Sequence, residues 1–178
     1  MARAYIGLGS NLAHPRRQIA RALRRIASLR GVRVVAQSPN YVSAPIGGIP
    51  QPDYVNAVVA VATTLAPRAL LARLAAIERA AGRRRDAMTP RNSARTLDLD
   101  LLLYEHRRAH GALLTLPHPR MHERAFVLKP LTDIAPAATI PGRGLARRFL
   151  PQVRDQRIAR TRTTRKTCTT FQNPAAGR

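Results

Sequence analysis

Apolar positions along the chain change period several times, and each change marks an element. Residues 4–9 (AYIGLG) read as a short strand that ends at a Gly-Ser-Asn turn. From Pro15 to Leu29 the period is helical. Ile19, Leu23 and Ile26 form an apolar stripe, and Arg17, Arg21 and Arg25 take a different, solvated face. Residues 32–42 are β-branched and predict a strand, and Ala44 to Pro52, with its Gly47-Gly48 pair, predicts turns. Residues 54–64 (YVNAVVAVATT) read as a buried strand. Pro67 opens a helix to Ala81 with the stripe Leu70, Leu71, Leu74 and Ile77. Gly82 ends it, the loop GRRRDAMTPRNSAR follows, and residues 96–104 (TLDLDLLLY) form the next strand. A polar turn at Glu105 to Gly111 leads to a short strand and a short helix within LLTLPHPRMHERAFVLKPL, and residues 143–155 predict a final helix.

The order β-α-β-β-α-β with a C-terminal extension is that of an α+β, ferredoxin-like fold: an antiparallel sheet with helices packed on one face. No internal repeat or linker divides the chain. Residues 1–160 are expected to form one domain. Residues 161–178, a basic polar tail, are expected to be disordered.

Charge changes this picture less than its size suggests. The 178 residues carry 31 Lys+Arg against 9 Asp+Glu, a net +22, and only Lys129 and Lys166 of the bases are lysine. Such a balance points to nucleic acid or to an anionic small molecule. An aromatic content of 4%, without Trp, is poor material for stacking several bases. The single cysteine, Cys168, excludes a disulfide framework and a cysteine-based zinc site. No apolar run approaches the roughly 18 residues of a membrane span, and no signal-peptide pattern opens the chain. The expectation is a cytoplasmic monomer with neither a nucleic-acid nor a membrane partner.

The most informative segment is Leu97-Asp98-Leu99-Asp100-Leu101. On a strand the three leucines face the core, and both aspartates project to the other side. Two carboxylates with Cβ atoms roughly 7 Å apart repel unless a cation lies between them. Hard oxygen donors at that spacing suit Mg²⁺, which takes substrate phosphates as further ligands. Asp is also disfavoured in strands. Just upstream lie Arg83, Arg84, Arg85, Arg91 and Arg95. Carboxylates beside clustered guanidinium groups describe a site for a magnesium polyphosphate. Gly7-Leu8-Gly9-Ser10-Asn11 lacks the ending of a P-loop and reads as a structural turn. Tyr54 and Asn56 share a strand face. They read either as a rim Tyr beside a turn-capping Asn, or as a ring and amide for a flat heterocycle. His118, held between two prolines, is suited to hydrogen-bonding a phosphate or to proton transfer.

GLGSN, PDYVN, the arrangement Glu78…Arg83-x-Arg85, RTLDLDLL and LPHPRMHERAFVLKPL occur in that order. Together they resemble the 6-hydroxymethyl-7,8-dihydropterin pyrophosphokinases of folate synthesis, over residues 4–156. The resemblance implies transfer of the terminal pyrophosphoryl unit of ATP to the hydroxymethyl group of a reduced pterin, leaving AMP. It implies that Asp98 and Asp100 hold magnesium, two ions, on the triphosphate. Arg83 and Arg95 would engage the transferring phosphates. Glu78, Arg85, Arg91, Thr115, His118 and Arg124 would complete the ATP site. Tyr54 and Phe126 would wall the pterin slot, Asn56 would read the pterin edge, and Ser43, Ala44, Pro45 and Ile46 would line it. Asn92 and Asp86 depart from members that carry Trp and a basic residue there. No side chain is assigned as general base, and Asp98 is the best placed. The competing expectation is a ferredoxin-like RNA-binding module, which would need aromatic side chains on the exposed sheet face.

Overall fold

The computed structural model describes residues 1–47, 50–82 and 93–161. Its centre is β1 (Ala2–Ser10), which pairs antiparallel with β4 (Tyr54–Thr63) on one side and β5 (Asp98–Tyr104) on the other. The free edge of β4 takes two short strands in succession. β2 (Val32–Gln37) pairs with its C-terminal half and β3 (Tyr41–Ser43) with its N-terminal end. The element order and antiparallel sheet are those of the ferredoxin-like arrangement.

The single strand expected over residues 32–42 is two, because Ser38 and Pro39 interrupt it. Pro39 has no N–H for a ladder. At the break the Ser38 hydroxyl accepts the Val58 N–H (2.9 Å) and donates to the Pro39 carbonyl (2.8 Å). A side chain thus does what backbone would otherwise do, and the strand turns.

Helices α1 (Pro15–Ala27) and α2 (Pro67–Ala80) cover one face of the sheet. Ile19, Ala22 and Ile26 of α1 and Leu70, Leu74 and Ile77 of α2 pack there against Ile6, Leu8, Val59, Val61, Leu99 and Leu101. Arg17, Arg21 and Arg25 are exposed, as the period predicts. The opposite face is not bare. A third helix, α3 (Ala125–Ile134), lies on half of it, with Val127, Leu128 and Leu131 clustering with Val58, Leu102 and Leu103. A shift of register in the β1–β5 pairing makes this possible: Tyr5 faces Leu103 and Ile6 faces Leu101, leaving Leu102 over. Leu102 and Leu103 therefore both join the second cluster.

Beyond α3 the chain forms a small hairpin, β6 (Thr139–Ile140) with β7 (Gly144–Leu145). The helix expected over 143–155 is instead a 3-10 segment, Ala146–Val153, and Pro151 within it cannot donate to an α-helical ladder. The short strand expected before α3 reduces to one bridge, Ala109 to Leu116. An element the periodicity misses, β8 (Ile158–Arg160), adds to the edge of β3. Thr161 still donates its N–H to the Asn40 carbonyl (2.9 Å). The basic tail expected from Thr161 lies, past that residue, outside the described residues. Among the described residues, no helix is long and apolar enough to cross a membrane.

Candidate active site

Strand register assembles the site from segments far apart in sequence. Gly9 of β1 is flanked by Asn56 of β4 and Asp98 of β5, and Gly7 by Val58 and Asp100. Leu97, Leu99 and Leu101 are buried under the helices, so Asp98 and Asp100 stand on the face that α3 leaves half open. Between the aspartates and Asn56 runs a trough without side chains. A Cβ on Gly9 would lie 3.3 Å from Asn56 Oδ1 and 3.9 Å from Asp98 Cβ. The GLGSN motif is therefore floor as well as turn. The available signal was two glycines at alternate positions inside a strand, where glycine weakens a sheet and marks close approach.

The cleft above this floor has a volume of about 640 Å³. Ser43, Ala44, Ile46 and Tyr54 line it, as do Arg124 and Phe126 at the start of α3, and Arg95 and Arg120 from the connecting segments. Pro45 lies in a smaller hollow of about 350 Å³ shared with Ala44 and Phe126. Asn56 is buried, and its Nδ2 donates to Ser43 Oγ (2.9 Å). The Tyr54 hydroxyl is within hydrogen-bond distance of Gln51 Oε1 (3.0 Å) and the Ser93 carbonyl (3.1 Å).

Charge is matched across the floor. Arg95 donates from its guanidinium to Asp98 (2.7 Å), and its backbone N–H is held by Asn11 Oδ1 (2.8 Å). The same Asn11 donates from Nδ2 to Gln51 (3.0 Å) and to the Pro52 carbonyl (3.1 Å), so one buried amide joins three connections around the cleft. Sequence reasoning missed Asn11 and Arg120 as site residues. Arg124 lies 3.7 Å from Asp100 and stacks on Phe126, 5.5 Å from the ring centre. Burial lowers the Arg124 pKa, Asp100 opposing, and its buried Nε has no hydrogen-bond partner among the described residues.

His118 Nδ1 accepts the Arg120 N–H (3.3 Å), which leaves Nε2 to carry the ring proton 3.9 Å from Asp100. Burial, reinforced by Arg124, pulls the His118 pKa down to about 4, so the ring is a neutral donor at physiological pH. His118 also lines a second cleft of about 910 Å³ together with Thr115, Arg108 and His110. Glu78 stands apart from these. It is 3% exposed, and its carboxylate accepts the Leu99 N–H of β5 (2.8 Å). Arg83, Arg85 and Arg91, with Asp86 and Asn92, lie outside the described residues.

The model of the family described as 7,8-dihydro-6-hydroxymethylpterin-pyrophosphokinase (HPPK) matches residues 5–136. A 2-amino-4-hydroxy-6-hydroxymethyldihydropteridine pyrophosphokinase of Pseudomonas aeruginosa is 49% identical over 78% of this chain and 84% of its own length. That of Haemophilus influenzae is 42% identical over 89% and 97%. Among solved structures, an HPPK-DHPS crystallised with substrates superposes with a TM-score of 0.64 at 14% identity. The match covers 85% of this chain and 43% of that one. The Plasmodium falciparum HPPK-DHPS gives 0.65 at 13%, over 85% and 44%. This chain thus spans less than half of those longer chains, and the likeness to them is one of fold. On the family match and the identities, the chain belongs to the HPPK family, which transfers pyrophosphate from ATP to hydroxymethyldihydropterin in folate biosynthesis.

Proposed function

We propose that the glycine-floored cleft is where the transfer takes place, with the pterin between Tyr54 and Phe126 and the triphosphate over Asp98 and Asp100. The observation that carries this is the row Asn56, Gly9, Asp98 across three adjacent strands. It sets an amide able to read a heterocycle edge beside a carboxylate able to face a phosphate, with no side chain between them.

The donor set fits magnesium. Asp98 and Asp100 offer hard carboxylate oxygens, and no group of three or more His, Cys, Asp or Glu occurs among the described residues. Asp98 and Asp100 would hold Mg²⁺, two ions on this reading, and the metal would supply neutralisation of the triphosphate when bound.

The remaining work falls to this chain's own groups. Asn56, fixed by Ser43, presents its amide to the pterin edge. The Tyr54 ring is held by its hydroxyl contacts, and the backbone of Ser43, Ala44, Pro45 and Ile46 borders the same slot. Thr115 and His118 place the nucleoside in the second cleft. The neutral Nε2–H of His118 lies 3.9 Å from Asp100, where the triphosphate is proposed to sit. Arg95 and Arg124, with Arg83, Arg85 and Arg91, meet non-bridging oxygens as charge moves onto the leaving AMP. Glu78 acts through β5, holding the strand that carries both aspartates. In the reaction the hydroxymethyl oxygen gives up its proton to solvent and forms a bond to the β-phosphorus. The bond from that phosphorus to the oxygen bridging it to the α-phosphorus breaks, and AMP departs. In-line positioning and charge neutralisation supply most of the rate.

The test is AMP formation from ATP and Mg²⁺ with and without 6-hydroxymethyl-7,8-dihydropterin. Stoichiometric AMP and pterin diphosphate are expected only with the pterin. Folded protein that releases no AMP, or releases it equally without pterin, would refute the reading.

A further inference from the structure

The two segments that line the proposed pterin slot are bridged by the stretch Gln156-Arg157, between the 3-10 segment and β8. Gln156 spans the entry to α3. Its Oε1 accepts the Ala125 N–H (2.8 Å) and its Nε2 donates to the Glu123 carbonyl (2.7 Å). It thereby brackets Arg124 and fixes the first turn of the helix that carries Phe126. The N–H it satisfies is one that a helix start leaves without an internal partner.

Arg157 holds the other segment. Its carbonyl accepts the Ala44 N–H (3.1 Å). Its guanidinium makes a two-pronged pair with Asp53, at 2.6 and 3.0 Å, one residue before Tyr54. Ile158 then pairs with Ser43 in the sheet. Behind the slot the hollow of about 350 Å³ separates Ala44–Ile46 from Ala125 and Phe126, and Gln156, Arg157 and Ile158 line it. The slot segments are therefore not packed directly into one another there.

The Arg157–Asp53 pair is exposed, at 68% and 36%, and exposed ion pairs add little to stability. A planar fork on a carboxylate does fix geometry, however. We infer that Gln156 and Arg157 are positioning residues for the pterin. They form a clasp that sets the separation between Phe126 and the Ala44–Tyr54 side of the slot. The inference rests on the pterin assignment made above.

The test measures binding of the reduced pterin and, separately, of a non-hydrolysable ATP analogue with Mg²⁺, in the full chain. Gln156→Leu removes both amide bonds at similar volume, and Arg157→Asp breaks the fork. Each is expected to weaken pterin binding about tenfold, roughly the scale of one lost hydrogen bond. Binding of the ATP analogue should change less than pterin binding. The melting temperature should stay near wild type in Arg157→Asp but fall by a few degrees in Gln156→Leu, which leaves the buried Ala125 N–H without its acceptor. The double variant Asp53→Arg with Arg157→Asp restores opposite charges and should recover most of the pterin affinity. Unchanged pterin binding in both single variants would overturn the clasp. So would equal loss of both ligands, or a charge-swapped double variant no better than Arg157→Asp. Wild-type protein that binds no pterin would instead overturn the site assignment itself.

Discussion

Glu78 shows how one residue supports the site without facing it. β5 is an edge strand, and the Leu99 N–H would otherwise open onto an unpaired edge. The buried Glu78 carboxylate takes that N–H, one residue from each of Asp98 and Asp100. Losing a buried charged acceptor costs about 1–3 kcal/mol. Glu78→Ala should therefore lower the free energy of unfolding measured with denaturant by that amount and reduce turnover as well. Unchanged stability with lost ATP binding would place the carboxylate on the nucleotide instead. The aspartate pair itself was legible in the sequence, because period two on a strand leaves no other arrangement for alternating Leu and Asp. Gly7 and Gly9 were not. A glycine before a turn satisfies the turn, and its second role depends on which strands flank it, which local pattern does not contain.

At the scale of elements, α3 decides how much of the sheet remains open. Gln156 fixes its first turn, and near its last turn the buried Tyr41 of β3 donates from its hydroxyl to Asp133 (2.7 Å). Burial and the Asp133 carboxylate push the Tyr41 pKa up to about 12. A raised folded-state pKa means the protonated hydroxyl is favoured by the fold. The associated stability is fully present below pH 10, the ordinary value, and is lost as pH rises through 12. The loss should be on the order of 2 kcal/mol. Denaturation of wild type followed from pH 9 to 12 should show this decline, and Tyr41→Phe should lack that component. Equal slopes in the two proteins would contradict the assignment. The major helices and strands were legible because their stripes are long and their starts carry Pro15 and Pro67. The division of β2 from β3 was not, since it depends on a Ser38 hydroxyl bonding across to β4. Nor was β8, a three-residue strand whose pairing with β3 is set by the rest of the fold.

For the whole molecule, the sheet divides the labour between its faces. One face is sealed by α1 and α2. The other is half sealed by α3, and the open half presents Gly9, Asn56, Asp98 and Asp100 with Tyr54 and Phe126 beside them; the two carboxylates would repel an RNA backbone. The net +22 is a poor guide to what is bound, because the arginines of α1 point to solvent. The arginines that matter stand beside two of the nine acids in the chain. The fold class could be read from ordered motifs. That Asn56 and Asp98 flank Gly9, on which the proposed pairing of pterin and phosphate subsites rests, required the register of three strands.

On the proposed reading, Asp98 and Asp100 hold the magnesium triphosphate on that floor. The most direct measurement of this is the rate of AMP formation by Asp98→Asn with saturating ATP, Mg²⁺ and pterin, alongside its melting temperature and pterin affinity. The expected result is a fall of roughly 10²-fold or more in turnover, the scale of losing a group that stabilises charge in the transition state. The fold and pterin binding should be retained. Turnover within a few-fold of wild type would contradict the account.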